Sequence, residues 1–107
     1  RLFVNVDGRM FPCERVNETS DILCIGSIQE GFNIKNAKNL LNVAKISEDE
    51  CKRCWCYKMC ELCCGKAENN GKLDKGKRLS FCKTSRFSIE ENIKNYITLK
   101  KYGCRTL

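Results

Sequence analysis

The chain has 107 residues, of which ten are cysteine and none is histidine. A chain of this length forms a single domain, residues 1–107, whose core is small enough that cross-links through cysteine are expected to support it. The formal net charge of +7 permits contact with nucleic acid, an acidic peptide or a membrane surface and establishes none of them. A membrane-spanning segment is excluded, because no apolar run reaches the required length of about 18 residues.

The N-terminal segment is predicted to be a β-hairpin. Apolar side chains alternate over residues 2–6, as they do in a strand, and Asp7-Gly8 predicts a two-residue turn with positive φ. Residues 9–11 return as the second strand. Pro12 cannot donate to the ladder, so pairing ends beside Cys13. Because the sequence starts in mid-strand without an initiator Met or a signal-peptide layout, we expect a piece of a longer protein.

Helical periodicity begins after residue 33. Residues 14–32 are polar and broken by Gly26 and Gly31, so they are predicted to be loop. Ser47 and Glu50 have the spacing of a capping box, which predicts a short helix leading into Cys51. Before Ser47, apolar residues at helical spacing predict a helix. Its apolar stripe consists of Ile34, Ala37, Leu40, Leu41 and Ala44.

A C-terminal helix is predicted over residues 88–103. Ser88 and Glu91 have capping-box spacing, Lys100 and Lys101 suit the dipole of a final turn, and Gly103 suits a left-handed cap. The predicted buried stripe of this helix is Ile89, Ile93, Tyr96 and Ile97. Residues 64–80, before the helix, are predicted to form a solvated loop that carries the basic residues Lys72, Lys75, Lys77 and Arg78.

The segment CKRCWCYKMCELCC, residues 51–64, holds six cysteines in fourteen residues. Disulfides, zinc and iron–sulfur clusters are the chemistries that use thiols at this density. Disulfides usually tie distant segments together, whereas these thiols are crowded into one. The adjacent Cys63 and Cys64 are also poorly placed to bridge each other. A secreted disulfide scaffold is therefore only a third interpretation.

The spacing of the thiols favours metal. Cys51 and Cys54 form a C-x-x-C pair that lets two thiolates of one turn hold one ion. Cys60 and Cys64 are spaced to face one side of a helix. One structural zinc needs fewer thiolates than this chain offers, whereas two 4Fe–4S clusters use up to about eight. Cysteine without any histidine also favours iron–sulfur.

Cys56, Cys60 and Cys63 also form a C-x3-C-x2-C motif. That spacing binds the cluster that cleaves S-adenosylmethionine in radical enzymes. The motif normally follows the first strand of a large partial α/β barrel, for which this chain has no room. The residue before its last cysteine is usually aromatic, and here it is Leu62. We therefore interpret the spacing as a chance overlap within a cysteine-dense segment.

A larger pattern, C-x2-C-x5-C-x3-C followed by a distant cysteine, is formed by Cys51, Cys54, Cys60, Cys64 and Cys82. This pattern resembles the SPASM domain, the C-terminal auxiliary-cluster module of radical S-adenosylmethionine peptide maturases. The hairpin before Cys13 is similar to the one that opens this domain. The chain as a whole is similar to maturases that form thioether bonds in cysteine-rich peptides.

The resemblance implies two 4Fe–4S clusters with interleaved ligands. The second cluster would be held by Cys51, Cys54, Cys60 and Cys82, and the first by Cys13, Cys24 and Cys64. Cys24 substitutes for a cysteine that the family places where this chain has Gly31. The fourth iron of the first cluster would be open to a substrate thiolate, or closed by Cys56, Cys63 or Cys104. Trp55, between ligands, is expected to shield a cluster from water.

The expected fold is small α+β, with an N-terminal two-stranded β-hairpin followed by helices and metal-braced cysteine-rich loops. The expected function is that of an auxiliary cluster domain serving electron transfer and substrate-peptide engagement in the cytoplasm. Its partners would be a cysteine-containing precursor peptide and the catalytic domain of the same full-length chain, which alone would bind S-adenosylmethionine. The resemblance implies no membrane or nucleic-acid partner and no catalysis by the fragment alone. The alternative is a zinc-binding interaction module that uses its basic surface for nucleic acid.

Overall fold

The computed structural model describes residues 1–105, which form a small α+β fold as predicted. The strands are β1 Phe3–Val4, β2 Arg9–Phe11, β3 Gly26–Ser27, β4 Gly31–Phe32, β5 Glu68–Asn69 and β6 Lys72–Leu73. The α-helices are α1 Ile34–Leu41, α2 Glu48–Lys52, α3 Lys75–Ser80 and α4 Cys82–Lys101. Short 3-10 turns cover Asp21–Leu23, Val43–Ser47, Tyr57–Met59 and Cys64–Lys66. Within residues 1–105, no helix combines the length and apolarity needed to cross a membrane.

The N-terminal hairpin is present, with Phe3 opposite Phe11 and Val4 opposite Met10. Its loop has three residues, because Asn5 and Arg9 remain joined by a backbone hydrogen bond of 3.0 Å. The Asn5 side chain also accepts a hydrogen bond from the Arg9 N–H at 2.9 Å. Gly8 takes a φ of +76°, whereas Asp7 does not take a positive φ. The predicted two-residue turn is therefore wrong.

The hairpin continues into a four-stranded antiparallel sheet of order β1-β2-β3-β4. Its last two strands lie in the segment predicted to be loop, so that prediction is wrong there. Gly26 makes this pairing possible, since a Cβ on it would lie 2.2 Å from the carbonyl oxygen of Gly31. At φ +145° it also adopts a conformation that side chains disfavour. The glycines that suggested a loop thus allow two strands to approach each other closely.

The core beside this sheet is small. Its buried members are Phe11, Val16, Leu23 and Leu40, and the partly buried Cys13, Cys24 and Cys64 pack against them. Of the predicted stripe in α1, Leu40 is buried, whereas Ile34 and Leu41 are 70% and 85% exposed. The α-helix ends at Leu41 and a 3-10 turn follows. This change of pitch turns Val43, instead of Leu41, towards the interior.

The helix α2 leads into Cys51 as predicted, although no capping box forms. The side chain of Ser47 caps no N–H of this helix. Its buried hydroxyl instead accepts a hydrogen bond from Arg78 Nε at 3.2 Å. Glu50, the other half of the predicted box, pairs with Lys75 at 2.6 Å. The two residues therefore connect α2 to α3.

Residues 64–80 contain regular structure, so the loop prediction for them is wrong. Asn70 and Gly71 take φ values of +50° and +80°, as expected for a tight turn between paired strands. This turn joins β5 to β6. Asp74 then caps α3 by accepting a hydrogen bond from the Lys77 N–H. Arg78, predicted to be solvated, is only 6% exposed.

The C-terminal helix begins at Cys82, six residues before the predicted start. Ser88 and Glu91 therefore lie inside the helix, and their capping-box spacing was misleading. The end is as predicted, with Lys100 and Lys101 in the last turn and Gly103 at φ +76°. Cys82 is consequently held on a helical first turn and not in a loop.

The apolar stripe of α4 is largely uncovered. Ile93, Tyr96 and Ile97 are 36%, 50% and 60% exposed, so the prediction that they are buried is wrong. The helix has 20 residues, about 30 Å of length, in a molecule that measures 54 × 32 × 19 Å. Its residues between Thr84 and Tyr96 line a groove together with Met59, Glu61 and Leu62 of the cysteine-rich segment.

Candidate metal centre

Four cysteines, from α2, from the segment that follows it and from α4, line one cavity of about 400 Å³. They are the four predicted ligands of the second cluster, Cys51, Cys54, Cys60 and Cys82. Their neighbours in the cavity wall include the apolar side chains of Val43, Leu62 and Leu79 and the ring of Tyr57. The structure thus brings together residues up to 31 positions apart in the sequence, from Cys51 to Cys82.

The local backbone explains how these thiols reach the same space. Cys51 lies in α2, and the chain turns tightly after it because the Cys54 N–H donates to the Cys51 carbonyl at 3.0 Å. A 3-10 turn over Tyr57–Met59 leads to Cys60. The near-continuous pair α3 and α4 brings Cys82 from the other side, and Ser85, one turn later, contacts the Cys60 sulfur at 3.9 Å.

The thiols surround a space and do not converge on a point. Within residues 1–105, no three Cys, Asp or Glu side chains are already arranged to hold a single metal ion. A zinc ion would require sulfur atoms at about 2.3 Å from one centre. The C-x-x-C pair of Cys51 and Cys54 lines the cavity, and its binding of a metal stays a prediction.

Arg86 brings positive charge to this cavity. Burial opposes ionisation of the Cys54 thiol, yet hydrogen bonds from the Cys56 N–H and the Arg86 guanidinium leave the pKa of Cys54 below its ordinary value. For Cys82, burial dominates and raises the pKa of the thiol, and Arg86 opposes that rise. Arg86 therefore favours thiolate at two predicted ligands, and thiolate is the form that binds metal.

Arg78 forms part of the same wall and is buried. Its guanidinium donates to Ser47 Oγ at 3.2 Å, to the Leu62 carbonyl at 2.7 Å and to the Cys63 carbonyl at 3.4 Å. None of these acceptors carries a charge. A buried guanidinium is costly without an anion nearby. The cavity therefore suits an anionic occupant.

Glu50 is the acidic residue that lines the cavity. Its Oε1 pairs with Lys75, and this hydrogen bond lowers the pKa of the carboxyl. Its Oε2 is buried and has no hydrogen-bond partner among the described residues. A carboxylate oxygen is a known zinc ligand. This atom is therefore the feature of the cavity that favours zinc over iron–sulfur.

All ten cysteines are free thiols. A hydrogen-bond contact joins Cys54 Sγ and Cys56 Sγ at 3.4 Å, which is too long for a disulfide. Cys56 is 1% exposed, and burial followed by the nearby Cys54 raises the pKa of its thiol. Cys56 therefore donates its S–H towards Cys54 and does not itself line the cavity.

The predicted ligands of the first cluster, Cys13, Cys24 and Cys64, all pack against the core beside the sheet. Burial raises the pKa of the Cys64 thiol, and the thiols of Cys63 and Cys13 add to the rise. Cys24 also lines a cavity of about 530 Å³, where its thiol donates to the Gly26 carbonyl at 3.3 Å. The assignment of these three residues to one cluster stays a prediction.

Two further sequence expectations concern the thiols that could close the first cluster and the role of Trp55. Among these thiols, Cys63 precedes Cys64 and adds to the rise of its pKa, Cys56 is buried beside Cys54, and Cys104 is exposed beyond α4. Trp55 is 59% exposed and does not line the four-cysteine cavity. The expected shielding of this cavity by Trp55 is therefore wrong, and Tyr57 supplies the aromatic wall.

The two arginines of the cavity were missed at the level of sequence. Arg86 follows Cys82 by four residues, a spacing that places two side chains on one helical face. That signal was present but hidden, because the helix was predicted to begin at Ser88. Arg78 gave no signal, since one basic residue in a stretch with several lysines does not reveal which of them is buried.

Comparison of the chain with protein-family models, with curated proteins and with solved structures finds no match.

Proposed function

We propose that this chain is an auxiliary iron–sulfur domain of a radical S-adenosylmethionine peptide maturase. The observation that carries the proposal is the common cavity of Cys51, Cys54, Cys60 and Cys82. The resemblance to the SPASM pattern assigns these residues to one cluster, and they come from two helices and the segment that follows the first of them. A 4Fe–4S cluster, when bound to thiolates, accepts and donates single electrons.

The chemistry of the cavity supports an iron–sulfur occupant. The cavity wall offers four thiols and no imidazole, since the chain has no histidine, and four thiolates are the usual ligands of such a cluster. The space exceeds what a single ion needs, and Arg78 and Arg86 supply positive charge for an anionic group. The small core of the fold also leaves stability to be supplied by a bound group.

A first cluster is proposed on Cys13 and Cys64, with Cys24 as third ligand. The packing of all three thiols against the core beside the sheet supports this set. Cys24 also lines the cavity beside Arg9. The fourth iron is either open to a substrate thiolate or closed by a further cysteine of the chain, and Cys63 is placed beside Cys64.

In this proposal the domain relays electrons and engages a cysteine-containing precursor peptide in the cytoplasm. Cleavage of S-adenosylmethionine belongs to the catalytic domain of the full-length chain. The bond formed by the complete enzyme would be a thioether, as in the maturases that this sequence resembles.

Metal analysis of protein purified under strict anaerobic conditions tests the proposal. We expect about eight iron and about eight sulfide per chain, as two clusters require. Cys82→Ser is expected to lose about half of the iron, because Cys82 belongs to one cluster only. Cys104→Ser is the matched control and should keep all of it, since Cys104 is exposed and lies outside the cavity.

The second candidate is a zinc-binding interaction module, and the partnerless Glu50 Oε2 at the cavity favours it. Anaerobic protein that is colourless and holds one or two zinc ions without sulfide would establish it and exclude the first candidate. Aerobic protein does not distinguish them, because zinc can occupy thiolates after a cluster decays.

A further inference from the structure

The four-cysteine cavity contains more positive charge than its own side chains neutralise. Four thiolates would bring four negative charges to the wall when a metal group binds. Without that group, the guanidinium groups of Arg78 and Arg86 still line the cavity. The negative charge of Glu50 is already paired with Lys75 at 2.6 Å.

The two guanidinium groups are held differently. Arg78 is 6% exposed and is fixed by hydrogen bonds to Ser47 and to the carbonyls of Leu62 and Cys63. Those carbonyls belong to the segment between Cys60 and Cys64. Removing Arg78 would therefore leave buried acceptors without a donor and disturb the backbone. Its charge and its structural role cannot be separated by substitution.

Arg86 has no such structural role. It is an exposed residue that lines the cavity together with Cys54, and the thiol of Cys54 is the main cause of the raised pKa of its guanidinium. It lies one helical turn after Cys82 on α4. The same helix therefore carries the predicted ligand Cys82 and the guanidinium that lines the cavity with Cys54. Removing it should change the charge at the sulfur while leaving the fold intact.

We propose that Arg86 sets the reduction potential of the group held by Cys51, Cys54, Cys60 and Cys82. Hydrogen bonds to ligand sulfur and nearby charge are established controls of the potential of iron–sulfur clusters. Reduction adds one electron, supplied by an external low-potential reductant, to a group that is already negative. A guanidinium beside Cys54 stabilises the reduced form more than the oxidised form, and so raises the potential.

The inference rests on the proposed function, and it adds a residue that the cysteine pattern does not contain. Only the difference between the interactions of the guanidinium with the two oxidation states counts towards the potential. Loss of Arg86 should therefore lower the ratio of reduced to oxidised cluster about tenfold at a fixed potential. For a one-electron couple this equals a shift of about 59 mV.

The experiment is a reductive titration of anaerobically purified Arg86→Gln, followed by electron paramagnetic resonance. We expect the midpoint potential of one cluster to fall by about that amount, while the other cluster is unchanged. Arg86→Lys keeps the charge and should recover part of the shift. Lys83→Gln is the matched control, because it removes a charge next to Cys82 from a residue that does not line the cavity, and it should shift the potential much less.

The outcomes separate this inference from the proposed function. If the parent protein binds no iron and sulfide, both fail. If the parent holds both clusters and Arg86→Gln keeps the parent potentials, or moves them no more than Lys83→Gln does, only the role of Arg86 is overturned. Equal iron content and equal helicity in circular dichroism for the parent and Arg86→Gln show that a shift is electrostatic and not a loss of fold.

Discussion

At the scale of single residues, the charge of a side chain and the distance to the neighbouring backbone decide which substitutions a position tolerates. Arg78 and Arg86 show that two members of one residue type can serve one cavity in different ways. The first is buried and holds the backbone of residues 62–63, and the second is largely exposed and contacts a ligand sulfur. Gly26 shows the same dependence on context for glycine, since the sheet requires its lack of a side chain.

Gly26→Ala is expected to destabilise the sheet strongly. The new Cβ would meet the Gly31 carbonyl at 2.2 Å and force β3 away from β4, which should cost at least about 2 kcal/mol. Gly31→Ala is the matched control, because Gly31 also has a positive φ but nothing lies within 4 Å of its Cβ position. That control should cost only about 1 kcal/mol. Thermal melting of the anaerobic proteins measures both, and equal melting temperatures for the two variants would contradict the close-approach argument.

At the scale of elements, segments with a long periodic pattern of apolar residues could be predicted from the sequence, and very short segments could not. The N-terminal hairpin could be predicted because alternation extends over several residues. The strands β3 and β4 have two residues each, too few to show a period, so their glycines suggested a loop. The early start of α4 was hidden because Ser88 and Glu91 imitate a cap within a continuous helix.

The candidate site was predictable to a different degree from the fold. The resemblance to the SPASM domain grouped the four thiols that line one cavity, whereas spacing by itself paired Cys51 with Cys54 and Cys60 with Cys64. The surroundings of Cys24 depend on the tertiary position of residues 24–26, where Cys24 packs on the core and lines a cavity with Arg9. No spacing rule contains that information.

Loss of Cys54 is expected to unfold the central cysteine-rich segment in the metal-bound protein. Residues 51–64 contain one buried side chain, that of Cys56, so little apolar packing would hold them without a bound group. Cys54→Ala should therefore lower both the helicity and the melting temperature in circular dichroism. Cys104→Ala should change neither, since Cys104 is exposed. Native helicity and an unchanged melting curve for Cys54→Ala would show that Cys54 is not a structural ligand.

At the scale of the whole molecule, the two predicted ligand sets occupy different surroundings. The four-cysteine cavity lies among α2, α3 and α4, whereas Cys13 and Cys64 pack on the core beside the sheet. The segment from Cys60 to Cys64 joins the two, and Arg78 holds its carbonyls. This arrangement suits two clusters that share one short connecting segment, and it assigns them unequal numbers of thiols from the chain.

The first cluster is predicted to have three ligands from the chain and one open iron. Gly31 occupies the position where the SPASM pattern has a cysteine, and Cys24 alone substitutes for it. An open iron binds thiolate well, so a substrate cysteine would be deprotonated and positioned there for bond formation. Its sulfur would then combine with a substrate radical, and the cluster would accept the surplus electron.

Electron paramagnetic resonance of the anaerobic, reduced protein tests the open iron. Adding a cysteine-containing peptide should change the signal of one cluster, whereas the same peptide with serine in place of cysteine should leave it unchanged. Cys63→Ser tests the competing arrangement, in which Cys63 closes the site from its position beside Cys64. If the cysteine peptide has no effect on the parent protein but changes the signal of Cys63→Ser, the chain itself supplies the fourth ligand. The first cluster would then only relay electrons.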